Sequence, residues 1–140
     1  LLAGLTMAAG VVTRAMPQKD HEELPQLGRE VLLRMGHADL GQACVLRGQD
    51  ILAQEDVTGT DAMLARFLSG GQGKGAVLFK APKPNQDRRA DLPTIGPKTA
   101  AAAVTAGFDG IILEADGVIV LDQPQVIETL NEAGLFLWLV

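Results

Sequence analysis

The chain has 140 residues and a mass of 14.7 kDa, with 12 basic and 17 acidic side chains and a formal charge of −5. That is the length of one ordinary domain, and 47% hydrophobic against 21% charged residues can bury a real core, which excludes wholesale disorder and a charge-driven tail. A sequence pI near 4.9, no tyrosine and 4% aromatic residues argue against a nucleic-acid partner.

The longest uncharged stretch, Leu1 to Thr13, is too short to cross a bilayer and lacks a basic lead-in. The chain opens on leucine, which reads as a fragment of a longer protein. The single cysteine, Cys44, has no partner for a disulfide and no ligand-spaced neighbour, the economy of a reducing, cytoplasmic compartment. His21 and His37 lack zinc-ligand spacing and read as surface or capping residues. Cys44, Phe67 and Trp138 read as packing residues.

Asp20 followed by Glu23 signals a helix start that Pro25 delays, so a helix is expected over Leu27 to Met35 with Gly36 as its stop. Two short strands, Gln42 to Leu46 and Ile51 to Glu55, flank Arg47-Gly48-Gln49-Asp50 as a hairpin. Thr58 or Thr60 can cap a helix over Asp61 to Leu68. Ser69 to Gly75 lacks the residue order of a phosphate loop and reads as a flexible connector to a strand, Ala76 to Ala81.

The proline-rich segment Pro82 to Pro97 has little periodicity and reads as a functional loop. Pro97 then opens a helix through Ala106, stopped by Gly107. Asp109 to Glu114 and Val118 to Leu121 flank Ala115-Asp116-Gly117, a second turn of hairpin chemistry. Pro124 opens a last helix closed by Gly134, and Leu135 to Val140 ends the chain as a buried strand. Strands alternating with helices, and fully apolar runs such as Gly110 to Leu113, predict an α/β fold: one domain, a mixed β-sheet with helices packed on it.

Charge is unevenly spread. Lys80, Lys83, Arg88, Arg89 and Lys98 stand with Asp87 and Asp91 in an island of net +3 on a remainder of −8. Such an island can be a solvated loop whose charges pair among themselves, or a pocket for one compact anion such as a small-molecule phosphate. Asp87 and Asp91, four apart among cations, are the candidates for holding Mg²⁺ beside phosphate oxygens. Thr58-Gly59-Thr60-Asp61 places hydroxyls at a helix N-terminus, for simple capping or for an anion.

Three ordered stretches, Gly36-His37-Ala38-Asp39-Leu40-Gly41-Gln42, Gly59-Thr60-Asp61-Ala62-Met63 and Lys80-Ala81-Pro82-Lys83-Pro84-Asn85-Gln86-Asp87-Arg88-Arg89-Ala90-Asp91-Leu92-Pro93-Thr94-Ile95-Gly96-Pro97, resemble the C-terminal domain of the LpxI family of UDP-2,3-diacylglucosamine pyrophosphatases. The resemblance implies a two-domain protein, with residues 1–16 a linker or the end of a missing N-terminal domain and 17–140 the C-terminal domain. It implies hydrolysis of UDP-2,3-diacylglucosamine to UMP and 2,3-diacylglucosamine 1-phosphate in lipid A biosynthesis, with Mg²⁺ as cofactor. The expected location is the cytoplasmic face of the inner membrane of a Gram-negative bacterium, in peripheral contact with it, and homodimerisation is left open.

Carried over by position, Asp87 and Asp91 would be catalytic and bind metal, Lys80, Lys83, Arg88 and Arg89 would hold the diphosphate, and Gln42, Thr60 and Asp61 would line the same cleft. One departure stands out. The glutamate expected before Gly59 is Thr58 here, with Glu55 and Asp56 reading as poor substitutes. The alternative function is a non-catalytic domain that binds a nucleotide-sugar phosphate.

Overall fold

The computed structural model describes residues 4–37, 42–83 and 92–140. The described strands and helices run β1 (Gly10–Val11), α1 (Leu24–His37), β2 (Ala43–Arg47), β3 (Asp50–Gln54), α2 (Thr60–Ala65), β4 (Val77–Lys80), β5 (Thr94–Ile95), α3 (Pro97–Thr105), β6 (Gly110–Leu113), β7 (Ile119–Val120), α4 (Gln123–Ala133) and β8 (Phe136–Leu139).

Six strands form one mixed sheet in the order β1-β8-β6-β4-β2-β3. Its centre is parallel, β4 to β6 to β8, and both flanks are antiparallel. The strands β4 and β6 are buried at every position, as strands covered on both faces must be. Side-chain alternation divides the core into two layers. Cys44, Leu46, Val77, Phe79 and Ile112 face α1 through Leu24, Val31, Leu32 and Met35. Val45, Leu78, Ile111, Leu113 and Leu137 face the opposite layer, with Met63 and Leu64 of α2, Ala100 and Ala103 of α3, and Val126 and Leu130 of α4.

The apolar positions of α1 recur at helical spacing, and the helix begins earlier than the proline suggests. Pro25 sits in the first turn, where a backbone N–H has no intrahelical acceptor to lose. Gly36 lies inside the helix, one residue before its end, and so does not stop it. Gly28 is where α1 meets the sheet most closely: a Cβ there would stand 2.4 Å from the ring of Phe79.

The hairpin of β2 and β3 forms as expected, with Gly48 at φ 59° in its turn. The second expected hairpin does not. Gly117 N–H does close a turn onto the Glu114 carbonyl, but β7 leaves the main sheet and pairs in parallel with β5. Turn chemistry reverses the chain there without pairing its two flanks, because the edges of β6 are already taken by β4 and β8. The little β5–β7 ladder joins the β4-to-α3 and β6-to-α4 crossovers beyond the C-terminal ends of the parallel strands.

The segment before α1 runs along β8. Val12 N–H donates to the Leu137 carbonyl, Leu137 N–H to Thr13 Oγ1 at 2.8 Å, and Val120 N–H to the Leu5 carbonyl. Among the described residues no helix is long and apolar enough to cross a membrane.

Candidate functional site

Lys80 ends β4, at the carboxyl edge of the parallel strands where open α/β sheets place ligands. The residue is only 7% exposed. Its Nζ donates to Thr60 Oγ1 at 2.7 Å and to the Thr94 carbonyl at 2.9 Å. Burial pulls the ammonium below the usual lysine range, and the negative charges of Glu55 and Asp61 act against that pull.

The hydroxyl of Thr60 donates in turn to Glu55 Oε1, and Glu55 Oε2 accepts the backbone N–H of Gln42 at 2.8 Å. Thr60 is therefore no cap. Gly59 holds the N-cap position of α2, at φ 96° and ψ 175°, a conformation only glycine adopts without strain, and no side chain caps the helix. Thr58 turns back instead, its N–H and hydroxyl both on Asp56 Oδ1.

A cleft of about 470 Å³ opens above Lys80. One wall is Thr58 to Asp61 at the start of α2, the other Gly96 to Thr99 at the start of α3, with Thr94, Ile95 and Leu121 of the β5–β7 region between them. The first turn of α3 has no side-chain cap, and Pro97 brings no N–H, so the next amides present an uncompensated positive end to the cleft. Lys98 and Asp61 stand across it 3.9 Å apart, both well exposed, a pair that contributes little on its own. The donor set is thus a buried ammonium, an exposed ammonium and helix-start amides, which suits an anion.

Of the residues expected here, Lys80, Thr60 and Asp61 are brought together. Gln42 reaches the cluster through its main-chain N–H and does not line the cleft, and neither does the half-buried Lys83. Asp87, Arg88, Arg89 and Asp91 lie outside the described residues. Glu55 is the residue that sequence reasoning set aside: it is 8% exposed and ties Thr60 to β2. No spacing rule points to it, since its place depends on the register of β3 against β2 and on its own N–H bonding to the Ala43 carbonyl. Among the described residues no group of three or more His, Cys, Asp or Glu is placed to hold a metal, and Asp61 is the only carboxylate lining the cleft. These residues do not by themselves fit Mg²⁺.

His21 is buried rather than superficial, with Nε2 2.9 Å from Asp109 and Nδ1 accepting the Gln18 N–H at 2.8 Å. Both ring nitrogens are engaged, so this His–Asp pair is a structural brace at the other end of β6, not an acid–base dyad. Cys44 is fully buried in β2, its thiol pushed up to about 12 by burial, and packs there as expected.

The LpxI C-terminal domain family model matches residues 8–138 of this chain. The chain belongs to the LpxI C-terminal domain family. It is 35% identical over 143 aligned positions to UDP-2,3-diacylglucosamine pyrophosphatase LpxI of Caulobacter vibrioides, an alignment that takes in 97% of this chain and 51% of that protein. This LpxI domain therefore spans about half the length of its relative. A solved structure of Acinetobacter baumannii RibD overlays 84% of the LpxI domain and 36% of its own chain, with a TM-score of 0.49 at 14% identity, a likeness too distant to carry an argument.

Proposed function

We propose that the protein containing this LpxI domain hydrolyses the diphosphate of UDP-2,3-diacylglucosamine to UMP and 2,3-diacylglucosamine 1-phosphate, with the cleft above Lys80 holding the diphosphate. The observation that carries this reading is a buried ammonium at the carboxyl end of β4, set between the starts of two helices. Phosphoryl transfer asks a protein chiefly for positioning and for neutralisation of charge on phosphate oxygens. Lys80 has two of its three N–H bonds fixed by Thr60 and Thr94, which leaves one for a phosphate oxygen and holds the charge in place. The amides at the start of α3 and the exposed ammonium of Lys98 act on the same anion from the rim. The name of the Caulobacter relative supports the substrate.

Mg²⁺ belongs to this reading through Asp87 and Asp91, and would neutralise diphosphate charge when bound. The same reading puts the reaction at the cytoplasmic face of the inner membrane, where a diacylated substrate resides. Hydrolysis by the full-length protein, followed with Mg²⁺ and then with EDTA, tests it. Release of UMP only with the metal is expected. A folded full-length protein that binds the substrate and releases no UMP overturns the hydrolase and leaves a binding domain.

A further inference from the structure

Glu55 does not line the cleft, yet it is the buried end of a directed hydrogen-bond chain. Its main chain is fixed by the Ala43 carbonyl at 2.9 Å, and its side chain spans from the Gln42 N–H to the Thr60 hydroxyl. An ammonium can only donate, so Thr60 Oγ1 accepts from Lys80 and has a single proton to give, which goes to Glu55. The order Lys80 to Thr60 to Glu55 is therefore set by chemistry, with positive charge at one end and negative charge at the other. Asp61, the other acid acting on Lys80, is half-exposed and stands opposite Lys98, so Glu55 is the buried countercharge.

We propose that Glu55 is a positioning residue for the anion-binding cation: it fixes the Thr60 hydroxyl as an acceptor toward Lys80 and so holds the ammonium oriented on the floor of the cleft. The proposal rests on the reading of that cleft as the diphosphate site. Its sharpest consequence concerns glutamine. Both neighbours of the Glu55 carboxylate are donors, and an amide can accept on one side only. The backbone N–H of Gln42 cannot turn away, so in Glu55→Gln the amide oxygen stays with it and the NH₂ faces Thr60. The hydroxyl must then accept from the amide, its proton loses the carboxylate as acceptor, and the orientation that turned a lone pair toward Lys80 is no longer fixed.

The test uses the full-length protein, titrated with inorganic pyrophosphate and with UDP and assayed for hydrolysis of the nucleotide-lipid, with thermal melting as the folding control. Glu55→Gln and Thr60→Val are expected to weaken pyrophosphate binding and raise KM by about tenfold or more, the loss of one charge-assisted hydrogen bond, with a smaller change in kcat. Thr60→Ser keeps the hydroxyl and is expected to stay within about threefold of wild type. Combining Glu55→Gln with Thr60→Val should add little to either, because both cut one chain.

Wild-type affinity in Glu55→Gln or Thr60→Val overturns the proposal, as does a Thr60→Ser protein as weak as Thr60→Val. Should Glu55→Gln fail to fold, the two Thr60 variants decide alone. A wild-type protein that binds neither pyrophosphate nor UDP brings down the diphosphate reading and this proposal together. One that binds and hydrolyses while Glu55→Gln does the same brings down only the positioning role.

Discussion

Lys80 and Cys44 show how one buried neighbourhood treats two titratable groups. The ammonium is kept in the interior by two oxygen acceptors, the Thr60 hydroxyl with Glu55 behind it and the Thr94 carbonyl, whereas the thiol has only apolar company and stays protonated. The sign of the resulting pH dependence follows for Cys44. Its folded value of about 12 lies above the ordinary 9.0, so between those values the unfolded chain releases a proton that the folded chain retains. Stability from this group is complete below pH 9.0 and is lost as pH climbs toward about 12, by about 1.4 kcal/mol per unit. Lys80 is shifted downward by burial and so acts on stability with the opposite sign, and the comparison must be between wild type and Cys44→Ala. Urea unfolding at about pH 8 and about pH 10.5 should show the wild type losing ground to the variant as pH rises. Parallel behaviour of the two proteins would show that Cys44 is not desolvated as described.

Among the elements, α1 gives the clearest contest between local and tertiary preference. Alanine is favoured over glycine within a helix by about 1 kcal/mol, which on local grounds makes Gly28→Ala stabilising. The Phe79 ring lies where the new methyl would go, and overpacking of that kind costs about 1–3 kcal/mol. The net expectation is a lower melting temperature for Gly28→Ala. A rise would mean that α1 does not seat on β4 this closely. Elements were legible in the sequence wherever the local signal and the packing agreed. Pro97 and Gly107 bracket α3, and the apolar run at β6 is the centre of the sheet. The sequence signal failed where pairing is decided at long range. Nothing in Ile119-Val120 says that its partner is Thr94-Ile95 rather than the strand just before it, and the two-residue β5 is hidden in a proline-rich stretch. The same limit hid Glu55, whose role depends on a contact with a residue five positions on and with a second strand. Thr60, read as a cap or an anion contact, turned out to spend its hydroxyl on neither alone but on joining a carboxylate to an ammonium.

Over the whole molecule, the ladder of β8 is extended at its outer edge by a side chain. Thr13 Oγ1 accepts the Leu137 N–H and donates to the Ala15 carbonyl, in a residue only 7% exposed. Thr13→Val matches the shape but leaves a buried N–H without an acceptor, a loss of about 1–3 kcal/mol. Thr13→Ser should recover most of it. Thermal unfolding that fails to separate the two variants would show that the Thr13 hydroxyl contributes nothing to holding Leu137. The overall plan, one six-stranded sheet between a single helix and a layer of three, places Lys80, Thr60 and Asp61 at one end of the parallel strands and leaves the His21 brace at the other.

The bond from Lys80 to the Thr94 carbonyl joins two points fourteen residues apart in the chain, one at the end of β4 and the other in a ladder with β7. The two ends of the stretch between them are thereby held at one place on the domain. Doubling the length of such an excursion costs only about 0.6 kcal/mol in closure entropy, because its ends are already held together by the scaffold. The number of residues between Lys80 and Thr94 can therefore change at small cost in closure while both anchors, the sheet edge and the β5–β7 ladder, stay where they are.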